Sequence, residues 1–431
     1  MWRARCEHGA VARGVKSRPS SQRTGATRAV RPEIAMTDSA ADAPSSSDPP
    51  LTHDEIRRYS RHLILDDVGV EGQQRLKASS VVVLGAGGLG SPALLYLAAA
   101  GVGTIGVVDD DVVDESNLQR QVVHATDAVG TPKVESARQR LAGINPHVKL
   151  QTHAVRLSAA NALDVLAPYD VVVDGCDNFA TRYLVNDACV LLGKPLVYAA
   201  VQKFEGQLSL FNHPPGVGPT YRDLFPSPPP PGAVPSCAEA GVLGVLPGVL
   251  GTLQATEALK VLLGKGETLS GRLLLYDALR MKFHEVKLKK RADAPPILAL
   301  EDYAGFCGVP AAGGGGGGKE HLDGPFERVS VARADAWRRD GWRPYTLDVR
   351  TAAEAAVASL PFADRLHPHR QVAAIAAELP ADRDVLVHCK TDIRSAAAAR
   401  DLAAAGLTRL YVLEGGIDAW AREVDPSLPV Y

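Results

Sequence analysis

Residues 81–90 read VVVLGAGGLG, and this stretch decides the fold of the chain. A run of branched apolar residues, typical of a buried strand, leads directly into Gly85 to Gly90, which have the spacing G-x-G-x-x-G. A small-residue helical pattern follows to Ala100, and Thr104 to Val108 has the composition of a second strand. This order predicts a βαβ unit of a parallel sheet, in which loop amides and a helix N-terminus face a phosphate.

The alternation of strands and helices continues on both sides of this unit. Apolar runs predict further strands at Val171–Asp174 and Leu196–Ala200, with a helical pattern between them, and Arg272–Tyr276 is also strand-like. Thr52 and Glu55 have capping-box spacing ahead of a predicted helix that runs from Ile56 to Leu63. We therefore predict an α/β domain with a doubly wound, Rossmann-like sheet.

The C-terminal part of the chain predicts a second, small α/β domain. Its predicted strands are Thr346–Val349, Val385–His388 and Leu410–Leu413, and Arg394–Ala405 is a predicted Ala-rich helix. Six consecutive glycines at 313–318 cannot hold one conformation and indicate a linker. The predicted organisation is a disordered tail at 1–50, a first domain at 51–300, a Gly-rich linker at 301–325 and a second domain at 326–431.

Composition argues against several classes of protein. The 47 Lys and Arg residues nearly balance the 49 Asp and Glu residues, which argues against direct nucleic-acid binding and against a basic membrane-surface protein. Six cysteines without a C-x-x-C pair suit a reducing compartment, and the longest apolar run, around 240–251, is too short and interrupted for a membrane span. We expect a cytosolic protein, although the Arg-rich first 35 residues have a bias also seen in transit peptides.

An acidic residue follows the second predicted strand at the distance expected for a nucleotide site. Asp109 lies 19 residues after Gly90, where a carboxylate can accept hydrogen bonds from a ribose. Taken alone, the glycine loop and this aspartate favour an NAD-dependent oxidoreductase over an ATP-dependent enzyme.

Several separated motifs reverse that preference. They are Arg58-Tyr-Ser-Arg61, Ser116-Asn-Leu-Gln-Arg-Gln121, Lys133, and Cys176-Asp-Asn178 with Arg182. From Leu51 to Lys290 the chain resembles the molybdopterin-synthase adenylyltransferases and their ubiquitin-activating relatives, a domain of the MoeB/ThiF type. The resemblance implies that ATP and Mg²⁺ activate the C-terminal glycine of a ubiquitin-like sulfur-carrier protein.

The resemblance also assigns roles to individual residues. The implied ATP-binding residues are Arg61, Gly88, Asp109, Ser116, Asn117, Leu118, Gln119, Arg120, Lys133, Asp177 and Asn178. Arg120 and Lys133 supply positive charge against the α-phosphate and the departing pyrophosphate, and Asp177 is the expected magnesium ligand. In the enzymes that this chain resembles, the arginine at the Arg61 position reaches the nucleotide of the other subunit, which implies a homodimer.

The second domain contains a loop suited to sulfur chemistry. The strand ending at His388 leads into Cys389-Lys-Thr-Asp-Ile-Arg394, beside the start of a helix. Loop amides and a helix N-terminus stabilise a negative sulfur atom, and Lys390 and Arg394 add positive charge. The loop resembles the six-residue active loop of rhodaneses, and residues 347–350 and 415–420 are further rhodanese marks. Rhodanese loops of this kind commonly have glycine where this chain has Asp392, whose carboxylate is expected to repel a persulfide or block an amide.

Two further features complete the resemblance to the fused adenylyltransferase and sulfurtransferase enzymes of the molybdenum cofactor synthesis protein 3 family. Cys237 follows a proline-rich loop and is the implied nucleophilic or resolving cysteine. Relatives usually bind a structural zinc through two C-x-x-C pairs, but here the first position reads Thr220-Tyr-Arg-Asp223 and the stretch 287–296 has no cysteine. We therefore predict that zinc is absent.

The function implied by the resemblance is adenylation of a carrier followed by transfer of persulfide sulfur from Cys389 to give a thiocarboxylate. The implied carriers are the small subunit of molybdopterin synthase and a ubiquitin-related modifier, and the implied sulfur donor is a cysteine desulfurase. The sulfur would serve molybdenum-cofactor synthesis and 2-thiolation of the tRNA wobble uridine. Two alternatives stay open: an NAD-dependent oxidoreductase, and a carrier-binding scaffold whose rhodanese domain is inactivated by Asp392.

Overall fold

The structure is a computed structural model that describes residues 48–229, 241–301, 303 and 324–431. Most of the predicted N-terminal tail, Cys237 and the glycine run at 313–318 lie outside the described residues. Of the helices in the described part of the chain, none combines the length and the hydropathy that a bilayer span requires.

The first domain is built on one eight-stranded sheet. Its strands are β1 (Ser80–Leu84), β2 (Thr104–Val108), β3 (Lys149–His153), β4 (Val171–Asp174), β5 (Leu196–Gln202), β6 (Glu205–Phe211), β7 (Arg272–Asp277) and β8 (Lys282–Lys287). Its helices are α1 (His53–Arg58), α2 (Ser60–Leu63), α3 (Gly69–Ala78), α4 (Gly90–Ala100), α5 (Lys133–Ile144), α6 (Ala162–Leu166), α7 (Phe179–Leu192), α8 (Tyr221–Leu224) and α9 (Val245–Leu263).

The strand order β3-β2-β1-β4-β5-β6-β7-β8 combines a parallel and an antiparallel half. Strands β1 to β5 are mutually parallel where they pair, and each later pair is antiparallel. One face of the sheet packs against α4, α5 and α9, and the other packs against α6 and α7. The predicted doubly wound α/β fold is therefore confirmed.

Three strands of the first domain, β3, β6 and β8, were not predicted from the sequence. Every residue of β8 is exposed, so only pairing with β7 defines that edge strand. The capping box between Thr52 and Glu55 is confirmed. The prediction of a single helix from Ile56 to Leu63 is wrong, because Tyr59 interrupts it between α1 and α2. Tyr59 is buried, and its hydroxyl accepts a hydrogen bond from Asn145 Nδ2 at 2.8 Å.

The second domain has a five-stranded sheet of order β11-β10-β12-β13-β9, in which all pairs are parallel. Its strands are β9 (Glu327–Val329), β10 (Tyr345–Asp348), β11 (Arg365–Leu366), β12 (Val385–His388) and β13 (Leu410–Leu413). Its helices are α10 (Val331–Arg339), α11 (Ala352–Val357), α12 (Ile393–Ala404) and α13 (Gly416–Glu423), with a 3-10 segment at His369–Glu378. The three strands and the one helix predicted for this domain are confirmed to within one residue, whereas β9, β11 and the other helices were not predicted. A buried apolar cluster lies on each face of the sheet.

Candidate active sites

The predicted nucleotide-binding loops meet at one edge of the first sheet. Leu84 is in register with Val108 on β2 and with Asp174 on β4, so these three strands end side by side. The glycine loop, Asp109 and the loop that contains Asp177 therefore leave the sheet as neighbours. The strand order reverses between β1 and β4, because β2 and β3 lie on one side of this pair and β5 lies on the other. Such a reversal is the usual position of a ligand crevice in these sheets.

Gly85 and Gly88 of the first loop have little room for a side chain. Gly85 has φ +86°, and a side chain there would approach the carbonyl oxygen of Gly175 to 3.2 Å. A side chain at Gly88 would lie 3.1 Å from Pro247 on α9 and 3.5 Å from Cγ of Arg120. Gly88 therefore lies between the start of α9 and one of the predicted phosphate-binding arginines.

Asp109 organises the glycine loop. Its carboxylate accepts hydrogen bonds from the backbone N–H groups of Ala86 at 2.8 Å and Asp111 at 2.9 Å. Burial raises the pKa of Asp109, whereas these hydrogen bonds act in the opposite direction. A carboxylate has about four acceptor positions, so Asp109 retains the capacity to accept from a ribose hydroxyl.

Lys133 is positioned by an aspartate that sequence analysis did not single out. Its side chain is only 7% exposed, and Nζ lies 2.9 Å from Oδ2 of Asp111, whose own side chain is 70% exposed. Because Asp111 belongs to the same loop as Asp109, the ion pair holds the ammonium group at the nucleotide edge of the sheet. In the sequence, the run of three aspartates at 109–111 is the signal that could have identified Asp111.

The predicted motif at 116–121 forms a compact turn beside the glycine loop. Ser116 donates through its backbone N–H and its hydroxyl to Asp114, and Asn117 ends a short 3-10 helix. Arg120 donates from Nη1 to the carbonyl oxygen of Ser116 at 3.1 Å, and Leu118 is half-buried. Gly244, just before α9, packs against Gln119. The structure therefore brings all of these predicted residues to one edge of the domain.

The three polar residues of the β4–α7 region differ in environment. Asp177 is exposed, whereas Asn178 accepts a hydrogen bond from the backbone N–H of Thr181 at 2.9 Å and caps α7. Arg182 is buried, donates to the carbonyl oxygen of Cys176 at 2.8 Å and lies 3.9 Å from the carboxylate of Asp174. Arg182 therefore stabilises the β4–α7 loop from its buried side, and Asp177 is the carboxylate that is exposed to solvent.

The residues present fit a magnesium ion bound together with a nucleotide. Mg²⁺ commonly takes one or two protein carboxylates, with phosphates and water completing its coordination, and Asp177 offers such a carboxylate beside the glycine loop. Within residues 48–229, 241–301, 303 and 324–431, no group of three or more His, Cys, Asp or Glu side chains is placed to hold a metal ion by itself. Arg61 is exposed on α2, and its reach into a second subunit stays a prediction.

A buried histidine that sequence analysis missed also holds the glycine loop. His124 lies with Nε2 2.9 Å from the carbonyl oxygen of Ala86 and Nδ1 2.9 Å from the hydroxyl of Ser136. A carbonyl only accepts, so Nε2 carries the proton and Nδ1 accepts from the hydroxyl of Ser136. Burial lowers the pKa of His124, which favours this neutral form. A single histidine without a recurring pattern gives no signal in the sequence.

The predicted sulfur loop is docked onto the start of α13. The backbone N–H groups of Ile417 and Asp418 donate to the carbonyl oxygens of Cys389 and Lys390, at 3.0 and 3.1 Å. Cys389 is only 1% exposed, and the hydroxyl of Ser395, which sequence analysis missed, lies 3.5 Å from its sulfur atom. The glycine-containing mark at 415–420 therefore has a physical role, because it fixes the backbone of the cysteine loop.

The two predicted cationic residues of this loop are held by partners within the domain. Arg394 makes two hydrogen bonds to Glu354, at 2.9 and 2.6 Å, and is mostly buried. Burial acts to raise the pKa of Glu354, but hydrogen bonds from Arg394 and Thr351 lower it to about 2. Lys390 places Nζ 4.7 Å from the ring centre of Tyr431.

Asp392 adopts a backbone conformation that favours glycine, with φ 145°. Its carboxylate is bound by Arg328 at 2.6 Å and lies 3.4 Å from the backbone nitrogen of Gly415. The carboxylate is thus engaged by a strand residue and by the α13 loop. The expected repulsion of a persulfide by Asp392 stays a prediction.

The position where relatives carry their first zinc-binding pair forms a polar contact here. Thr220 donates its backbone N–H and its hydroxyl to Asp223 Oδ2, at 2.7 and 2.9 Å. Asp223 Oδ1 accepts from the backbone N–H of Arg291, at 2.7 Å, within the stretch where relatives carry the second pair. Both oxygens of Asp223 are engaged and neither position offers a thiolate, so this donor set does not fit zinc. The absence of zinc itself stays a prediction.

Asp187 makes a second set of polar contacts, which reaches the same helix α8, and we call the two sets together the polar clamp (Asp187, Thr220, Arg222, Asp223, Arg291 and Tyr303). Asp187 is 1% exposed and accepts from Arg222 Nε and Nη2, at 2.8 and 2.6 Å, and from the hydroxyl of Tyr303 at 2.7 Å. The polar clamp therefore joins α7 and α8 to Arg291 and to Tyr303, which lies in the stretch predicted as linker.

The substitution Asp187→Ala is expected to lower the free energy of unfolding of the first domain by about 3–5 kcal/mol, because it removes the shared acceptor of a mostly buried arginine and a tyrosine. Hydrogen exchange of α7 peptides along a urea series measures this energy for the first domain. Arg138→Ala, which removes the exposed pair with Glu135, is the matched control and should have no measurable effect. Equal effects of the two substitutions would contradict a stabilising role of the polar clamp.

Comparisons with known proteins match both parts of the chain. Residues 59–296 match the ThiF family, and residues 331–423 match the rhodanese-like domain. The probable adenylyltransferase/sulfurtransferase MoeZ of Mycobacterium tuberculosis is 48% identical over 385 residues, covering 88% of this chain and 96% of that protein. The adenylyltransferase and sulfurtransferase MOCS3 of Culex quinquefasciatus is 44% identical over 402 residues, covering 88% and 90% respectively. The sulfur carrier protein adenylyltransferase of Thermus thermophilus is 57% identical over 267 residues, covering 60% of this chain and 98% of that protein.

Proposed function

This chain belongs to the ThiF family and, with its rhodanese-like domain, to the fused adenylyltransferases and sulfurtransferases, and from that membership we propose that it converts the C-terminal glycine of a sulfur-carrier protein into a thiocarboxylate. ThiF-type adenylyltransferases use ATP. The observation that carries the proposal is the meeting of the glycine loop, Asp109 and Asp177 at one sheet edge, in a chain that also holds Cys389 in a docked loop.

Adenylation comes first. The carboxylate oxygen of the carrier attacks the α-phosphorus of ATP, the bond to the β-phosphate oxygen breaks, and pyrophosphate leaves. Asp109 accepts from the ribose, and Arg120 with Lys133 neutralises the negative charge that builds on the phosphates. The ion pair between Lys133 and Asp111 supports this role, because it fixes the ammonium group before the substrate binds. Magnesium, held by Asp177, would supply further positive charge to the phosphate oxygens.

Sulfur transfer comes second. The terminal sulfur of a Cys389 persulfide attacks the acyl carbon, the bond to AMP breaks, and an acyl disulfide forms. A thiolate then attacks the Cys389 sulfur, which releases the carrier thiocarboxylate and leaves a disulfide that a cellular reductant must reduce. The proposed thiolate is that of Cys237 or of a reductant.

The proposed partners are the small subunit of molybdopterin synthase and a ubiquitin-related modifier, with a cysteine desulfurase as the sulfur donor. We further propose a cytosolic homodimer, domain limits of 51–300 and 326–431, and a role in both molybdenum-cofactor synthesis and tRNA thiolation. The relatives named as sulfur-carrier adenylyltransferase and as adenylyltransferase and sulfurtransferase support the carrier as substrate.

The direct test uses the full chain with each purified carrier ending in Gly-Gly, ATP, Mg²⁺ and a persulfide donor. We expect carrier-dependent exchange of pyrophosphate into ATP, and a carrier mass that changes by the replacement of one oxygen by sulfur. Exchange without sulfur gain would favour the alternative in which Asp392 inactivates the rhodanese domain. Nicotinamide binding without pyrophosphate exchange would favour the oxidoreductase instead.

A further inference from the structure

Asp392 is held in its unusual conformation by a contact from outside the loop. With φ 145°, its backbone lies in a region that residues with a side chain rarely adopt, and it is the N-cap residue directly before α12. Its side chain gives α12 no capping hydrogen bond. The loop backbone therefore needs another source of stabilisation at this residue.

Arg328 supplies that stabilisation from strand β9. Its Nη2 lies 2.6 Å from Oδ2 of Asp392, and the two side chains are 21% and 15% exposed. Because β9 pairs with β13, Arg328 also reaches Glu414 through Nε at 3.1 Å. The charged groups that meet at this point are thus one arginine and two carboxylates, and the arginine is shared.

We propose that Arg328 is a positioning residue for the Cys389 loop, which it holds by pairing with Asp392. The inference rests on the proposed role of Cys389 in sulfur transfer. The ion pair keeps the residue before α12 at the φ value that a glycine would adopt without help. It also neutralises the carboxylate of Asp392, three residues after Cys389 in the chain. Without this pairing, the carboxylate would repel a persulfide anion on Cys389.

The proposal predicts a specific dependence between two positions. Arg328→Ala should slow the formation of the Cys389 persulfide from thiosulfate by about tenfold or more. The carboxylate of Asp392 then loses its ion pair, and nothing else holds the backbone of Asp392 at its strained φ value. Asp392→Gly alone should react at least as fast as the unchanged chain. Adding Asp392→Gly to Arg328→Ala should restore the rate, because glycine needs neither the charge partner nor the backbone support.

The experiment follows persulfide formation by intact mass in the full chain. Arg365→Ala, which removes an arginine–carboxylate pair on β11 outside the loop, is the matched control and should react at the unchanged rate. An unchanged rate in Arg328→Ala would overturn the proposal. A loss that Asp392→Gly does not rescue would also overturn it, since Arg328 would then act by another route.

A second readout separates this inference from the role of Cys389. Hydrogen exchange of peptides covering 389–394 should be faster in Arg328→Ala and should return to the unchanged rate in the double variant. If Cys389→Ala still takes up sulfur, the proposed function fails, whereas the exchange measurement still tests whether Arg328 holds the loop. Equal exchange in all four chains would contradict the inference whatever the activity.

Discussion

Cys389→Ala is expected to abolish thiocarboxylate formation, with a loss of about 10³-fold or more, and to leave pyrophosphate exchange unchanged. The sulfur atom is the proposed carrier of the transferred sulfur, so no neighbouring group can replace it. Its loop is docked through backbone hydrogen bonds from Ile417 and Asp418 to the carbonyl oxygens of residues 389 and 390, and these bonds do not require the thiol. The domain should therefore fold normally.

The measurement is the mass of the carrier after reaction with ATP and a persulfide donor, with exchange followed in parallel. Cys189→Ala is the matched control, because Cys189 is a fully buried thiol of α7 whose pKa is raised by burial and which should take no part in the chemistry. Sulfur gain by the carrier in the Cys389→Ala chain would refute the proposed transfer step.

Asp177→Ala is expected to reduce carrier-dependent pyrophosphate exchange by about 10²–10³-fold, because it removes the exposed carboxylate proposed to hold magnesium against the phosphates. Asp177 is exposed in the β4–α7 loop, so its removal should cost little stability. Persulfide formation on Cys389, which uses no ATP, should continue at the unchanged rate.

Initial rates of exchange at saturating ATP, measured over a range of Mg²⁺ concentrations, provide the test. The control is Asp164→Ala, which removes an exposed carboxylate from α6 in the same domain. Exchange in Asp177→Ala within about twofold of the control would rule out Asp177 as a necessary ligand and would direct attention to Asp109 or Asp111. With both substitutions, we expect that either active site can be inactivated while the other keeps its activity.

The sequence by itself determined the features that depend on neighbours along the chain. The glycine spacing at 85–90 requires a tight turn between a strand and a helix, and the strand that ends at His388 places Cys389 at the start of a loop. The capping box of α1 and most strands of both sheets follow from periods and turn residues within a few positions. These signals are local, so they can be read without knowing the rest of the fold.

Only the tertiary structure decided which distant residues support the two sites. His124 and the glycine loop are 38 positions apart, Asp187 and Arg222 are 35 apart, and Arg328 and Asp392 are 64 apart. Each contact exists because strand order and helix packing bring the two segments together, and neither partner belongs to a repeating pattern. Whether a buried hydrogen bond forms depends on the donor–acceptor distance to within a few tenths of an ångström in the folded chain. Sequence patterns report only which residues face the core.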